Sequence, residues 1–109
     1  MISIEETLES IESTVVVGGV EKPVTLYSVT AVVSIGSRNP LTKEHVESVL
    51  GMCTFPCQSG QGEPTISEDG RTLNVTYKSR PSLHGGDTHT REPFTDAVIH
   101  AADRLAARI

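Results

Sequence analysis

The sequence predicts an α+β domain, an antiparallel sheet of about four strands with helices packed on one of its faces. Three observations point there. Residues 24–35 carry no Gly, Pro, Asp, Asn or charge, and Tyr27, Val29, Ala31, Val33 and Ile35 alternate with Ser28, Thr30 and Ser34, broken only by Val32. A period of two over such a length makes a long, half-buried strand. Asp69-Gly70 stands between the alternating segments 65–68 and 71–78, a strong hairpin signal. Phe94, Ala97, Val98, Ala101, Leu105 and Ile109, widened by Ala102 and Ala106, recur at helical spacing. That stripe is one buried face of a last helix, with small residues that let it lie close on a sheet.

The elements follow in order. Ser3 and Glu6 match a capping box, and Ile4, Leu8 and Ile11 share one helical face, so a short first helix is expected. So short a helix holds only if docked. Residues 14–20 form a strand that Gly18-Gly19 weakens or bulges, and Glu21-Lys22-Pro23 turns the chain into the central strand. After a loop over 36–40, Thr42 caps a second helix, Leu41 and Val46 stand where a hydrophobic staple packs, and Gly51 closes it. Val46, Val49 and Leu50 face inward. Residues 52–64 read mostly as loop. In the hairpin that follows, Leu73, Val75 and Tyr77 face the core while Thr72, Asn74 and Thr76 face out. A polar loop over 79–90 reaches the last helix, capped by Thr90 or Glu92, with Pro93 in its first turn. The expected order is αββαββα. From the central strand on it resembles a split βαβ, ferredoxin-like unit without its last strand, a topological likeness that carries no function.

The 109 residues make a single domain over 1–109, long enough to bury a core without a staple. A net charge of −5 and an isoelectric point near 5.2 argue against general affinity for nucleic acid or an anionic membrane. No apolar run approaches the roughly 20 residues of a membrane span. The acidic start, MISIEETLES, is unlike a signal peptide, so a cytoplasmic protein is expected. Two cysteines are compatible with a reducing compartment and make no disulfide framework.

Three constellations bear on function. Lys78, Arg80 and Arg91 outweigh Asp87 between residues 78 and 91, where Gly85-Gly86 precedes a helix N-terminus. With His84, His89 and, if the strand ends converge, Arg38, this loop suits phosphate or a nucleotide-like anion. No Walker or dinucleotide fingerprint accompanies it. Cys53 and Cys57 in one loop and His84 and His89 in the next supply a donor set for zinc, at spacings on the loose edge of known patterns. Ser79, Ser82, His84 and Asp87 are the residue types of a hydrolase triad without a nucleophile elbow, and Cys57 with either histidine would need proximity; no catalytic residue is assigned.

The reading preferred over these is a small, non-enzymatic protein acting through protein–protein contacts, as an inhibitor or an assembly factor. Val24, Leu26 and Val32 lie on the nominally outer face of the central strand, more apolar than a solvated face needs. Either the first helix covers them, or another copy of the chain does. The partner expected is therefore protein or self, with no cofactor.

Overall fold

The computed structural model describes residues 1–52 and 60–109. They form strands β1 (Ile2–Val17) and β2 (Val20–Gly36), helix α1 (Lys43–Met52), short strands β3 (Gly60–Gln61) and β4 (Thr65–Ile66), strand β5 (Thr72–Lys78) and helix α2 (Thr88–Arg108). All strand pairings are antiparallel, β1 with β2, β2 with β5, and β3 and β4 in tandem on the other edge of β5. The class is α+β as expected. Both helices pack on the same side of the sheet, because their buried residues share one core cluster.

That core is the one the alternation implies. Val29, Ala31, Val33 and Ile35 from β2 meet Leu73, Val75 and Tyr77 from β5, all at most 1% exposed. Phe94, Val98, Ala101, Ala102 and Leu105 of α2 and Val46 and Val49 of α1 close over them. Each fully buried aliphatic or aromatic side chain contributes about 1.5–3 kcal/mol. Thr42 caps α1, its Oγ1 accepting from the His45 N–H at 3.2 Å, and Leu41 and Val46 are both buried beside it. The 65–78 hairpin turns through Gly70 at φ +72°, a left-handed value that favours glycine.

The first third of the chain departs from expectation. Residues 3–12 are strand, not helix, and the order is therefore not αββαββα. The spacing of Ile4, Leu8 and Ile11 fits a helix, but Ile2, Ile4 and Leu8 also fit one face of a strand. Half of the sixteen residues of β1 are β-branched, which favours the extended form. An isolated short helix is marginal, whereas pairing with β2 satisfies one edge of the backbone along the whole segment and leaves the other edge to water. Gly18-Gly19 is the turn itself, with φ of +60° and +77°, the two positive values of a type I′ two-residue hairpin. Glu21-Lys22-Pro23 consequently lies inside β2. A two-residue hairpin closes on a hydrogen-bonded pair, here Val17 and Val20, and alternation makes Thr14 and Pro23 a non-hydrogen-bonded pair. The missing N–H of Pro23 thus faces away from β1, where β5 does not reach.

Two helix ends also differ. Gly51 lies within α1 and has no left-handed φ, so it is not an αL cap. Helix α2 starts earlier, after Asp87, whose carbonyl accepts from the Thr90 and Arg91 N–H groups. Asp87 makes no side-chain cap bond, and Pro93 sits inside the helix beyond its first turn.

Candidate functional site

The loop expected to bind an anion runs back along β2. The Tyr27 N–H donates to the Ser82 carbonyl at 2.8 Å and the Ser82 N–H returns to the Tyr27 carbonyl at 3.0 Å. The Ser79 Oγ accepts from the Val29 N–H at 2.8 Å, and the Ser28 hydroxyl donates to the Ser79 carbonyl at 2.7 Å. Gly85 is buried at this crossing. A Cβ there would lie 2.1 Å from the Tyr27 carbonyl oxygen, so only glycine fits. Neither Gly85 nor Gly86 has a positive φ, and the Gly85 N–H is directed at the Ser82 carbonyl. Gly85 serves a close approach of two backbones, and without a left-handed residue the pair forms no anion nest.

The cationic residues do not converge. Cross-strand partners share a face of a sheet, so the register divides these side chains between its two sides. Lys78 stands on the side away from the helices, 3.9 Å from Glu9. Arg91, on α2, is on the helical side, 3.6 Å from Glu6, which also accepts from the Thr95 hydroxyl at 2.8 Å. His84 lies 3.3 Å from Asp87, both side chains largely exposed. Arg80 and His89 are exposed. Arg38 follows the Gly36 end of β2, at the far end of β5 from the loop, about 20 Å away by strand rise; its carbonyl accepts from the Arg71 guanidinium at 3.0 Å. A recess of about 240 Å³ beside the start of α2 is lined by Glu6, Thr88, Arg91, Glu92, Thr95 and Asp96. Three carboxylates to one guanidinium, itself paired, suit an anion poorly.

Cys53 and Cys57 lie outside the described residues, so the zinc set of Cys53, Cys57, His84 and His89 is represented only by its histidines. Among the described residues no group of three His, Cys, Asp or Glu side chains could hold a metal ion. A groove of about 410 Å³ between α1 and the segment before β4 is lined by Lys43, Val46, Glu47, Leu50, Glu63, Pro64 and Ile66.

A different feature dominates the surface. The molecule measures 57 by 23 by 22 Å, because the β1–β2 hairpin outruns the sheet. Pairing with β5 ends at Thr30 and the last bridge on that edge joins Tyr27 to Ser82. Residues 11–26 continue as a two-stranded arm of about 24 Å. Along it the apolar side changes over. Near the body, Ile2, Ile4, Leu8, Val29, Ala31, Val33 and Ile35 face the helices, and the outward side holds Ser3, Glu5, Thr7, Glu9, Ser28, Thr30, Val32 and Ser34. On the arm the outward side holds Ile11, Val15, Val17, Val20, Val24 and Leu26 with Ser13 and Lys22, while the helical side holds Glu12, Thr14, Val16, Glu21, Pro23 and Thr25. Ile11, Val15, Val17 and Val20 are 38–58% exposed. The outer-face position expected for Val24, Leu26 and Val32 is thus found, but the first helix that would have covered them does not exist. Missing from the sequence reading are Ile11, Val15, Val17 and Val20. The available signal was Gly-Gly standing as a two-residue turn between VVV and a second extended run.

Asp69 is the one described group whose carboxyl pKa is clearly displaced. The Ser67 hydroxyl, donating at 2.5 Å, and the Arg71 N–H, at 3.0 Å, hold it below its ordinary value. It belongs to the turn before β5 and marks no site. No helix among the described residues is long and apolar enough to cross a membrane. No family model, curated protein or solved structure matches this chain.

Proposed function

We propose that this protein works by contact with other protein, as an assembly factor, and that the β1–β2 arm is its contact element. The observation that supports this reading is the changeover of apolar residues to the outward side of the arm. A ribbon that merely extended the domain would be polar on both sides, since no core of its own lies against it. Six apolar residues aligned over about 24 Å form a patch on the order of 300 Å², at the size where an exposed patch on a monomer is often functional. At about 25 cal/mol per Å², covering it contributes ~7 kcal/mol before the costs of association. The reading asks for no cofactor and no reacting group, and its expected setting is the cytoplasm.

The test uses a photo-reactive benzoylphenylalanine placed at Val24, or at Thr25 on the opposite side of the ribbon, in cells that make the protein. An adduct to another polypeptide, the same chain or a different one, is expected from Val24 and not from Thr25. Absence of adducts from Val24, Val15 and Leu26 alike overturns the reading.

A further inference from the structure

We propose that the outward face is covered by a second copy of the chain, with the two hairpins stacked face to face and antiparallel. Each arm then lies over the sheet of the other copy, and Lys22 of each copy meets Glu5 of the other. This rests on the reading of the arm as a contact element and adds the partner and its register.

Charge sets the register. On β1, β2 and β5 the outward face carries Glu5, Glu9, Lys22 and Lys78. Glu9 is answered by Lys78 at 3.9 Å and by the Thr30 hydroxyl at 3.3 Å. Glu5 and Lys22 have no ion pair among the described residues. Glu5 stands opposite Val32 and Lys22 opposite Val15, ten residue steps or about 34 Å apart, so they cannot meet within one chain. A two-fold axis lying between the two faces at the level of Ser10 and Tyr27 sets β1 over β1 and β2 over β2, so each Lys22 stands one strand, about 4.8 Å, to the side of the other copy's Glu5, within reach of both long side chains.

Area independently selects the same register. Arms overlapping only with each other, over the levels of residues 11–17, cover about 24 by 10 Å each, or ~480 Å² in total, the size of a lattice contact. Overlap from the level of Ser3 to that of Val17 covers about 50 by 10 Å each, ~1,000 Å² in total, the least expected of a biological interface. Full overlap of Ile2–Val17 centres between Glu9 and Ser10, within one residue of the axis that the charges set. In this register Val32, 40% exposed in an otherwise polar part of the face, is covered by β2 of the other copy, under the apolar stem of its Lys22. Glu9, already hydrogen-bonded and paired, can be covered without leaving a bare charge.

The experiment takes purified full-length protein, mixes unlabelled and ¹⁵N-labelled chains in equal amounts, and treats the mixture with a zero-length carbodiimide. The expected product is a Lys22–Glu5 linked peptide in which half the pairs combine one labelled and one unlabelled member, absent in Glu5→Gln. By sedimentation, Glu5→Lys and Lys22→Glu should each weaken the dimer about tenfold, and the two together in one chain should restore it. A dimer that forms no such link and ignores the charge exchange overturns this register, while the Val24 adduct still stands for the arm. A monomer in isolation whose Val24 adduct in cells is a different polypeptide overturns the second copy as occupant and assigns the face to that protein.

Discussion

Gly85→Ala separates the packing account of the 79–91 loop from an anion-binding one. The added Cβ would fall 2.1 Å from the Tyr27 carbonyl oxygen and 2.8 Å from its carbon, both backbone atoms of a central strand. Backbone cannot step aside as a flexible side chain does, so the loop must lift. Overpacking of this kind costs about 1–3 kcal/mol. Weakening the reciprocal Tyr27–Ser82 hydrogen bonds, 2.8 and 3.0 Å, adds about 1 kcal/mol each if they are lost. The expected loss is about 2–4 kcal/mol, or ~8–16 °C in melting temperature for a domain of this size. Gly86→Ala is the internal control. Its Cβ meets the end of the Leu8 side chain at 3.4 Å, an ordinary contact costing less than about 1 kcal/mol. Urea and thermal melts followed by circular dichroism, with an unchanged urea slope, measure both. If Gly85→Ala melts with the parent, or if the two variants are equally damaged, the close approach is not what requires glycine there.

Three further outcomes follow from the same contacts. Thr42→Ala should lose about 1 kcal/mol in urea unfolding through its cap bond to the His45 N–H. Gly51→Ala should gain about 0.5–1 kcal/mol in the same assay, because Gly51 is helical and has open space where the Cβ would go; a loss would restore it as a C-cap. Asp69 has a folded-state pKa below its ordinary 3.8, so its hydrogen bonds add stability above that value and lose it as the pH falls through the lower folded one. Asp69→Asn should therefore be less stable than the parent at neutral pH, with the gap closing only in strongly acidic buffer; a gap independent of pH would count against the assignment.

Where one face carried an apolar period, of two in the strands or of about 3.6 in the last helix, the fold was legible in the residues. Val29 to Ile35, Leu73 to Tyr77 and the stripe from Phe94 to Leu105 all point inward as their spacing requires. The first strand was obscured because Ile4, Leu8 and Ile11 fit a helical face and glutamate is a good helix former, while the partner that makes it a strand lies beyond the turn. Long-range pairing overrides local preference in such a segment. Loop residues were harder still. Lys78 and Arg91 are close in sequence, yet a strand end and a helix place them on opposite sides of the sheet. Gly85 looked like a phosphate cradle and is explained by the nearness of Tyr27, which no local pattern shows. The apolar outer residues Val24 and Leu26 were visible as exceptions to the alternation. Their meaning emerged only when the register put Ile11, Val15, Val17 and Val20 beside them.

Association of copies through the outward face of the arm, as proposed above, is read by a sedimentation series over protein concentration. The parent should move from 11.7 kDa toward twice that mass as concentration rises. Val24→Ser with Leu26→Ser should remain at the lower mass with the melting transition of the core retained, because both residues lie outside the core cluster. Thr14→Ser with Thr25→Ser, on the other side of the same ribbon, should associate like the parent. A parent that stays at the lower mass throughout, or equal dissociation by changes on the two sides, would contradict the account.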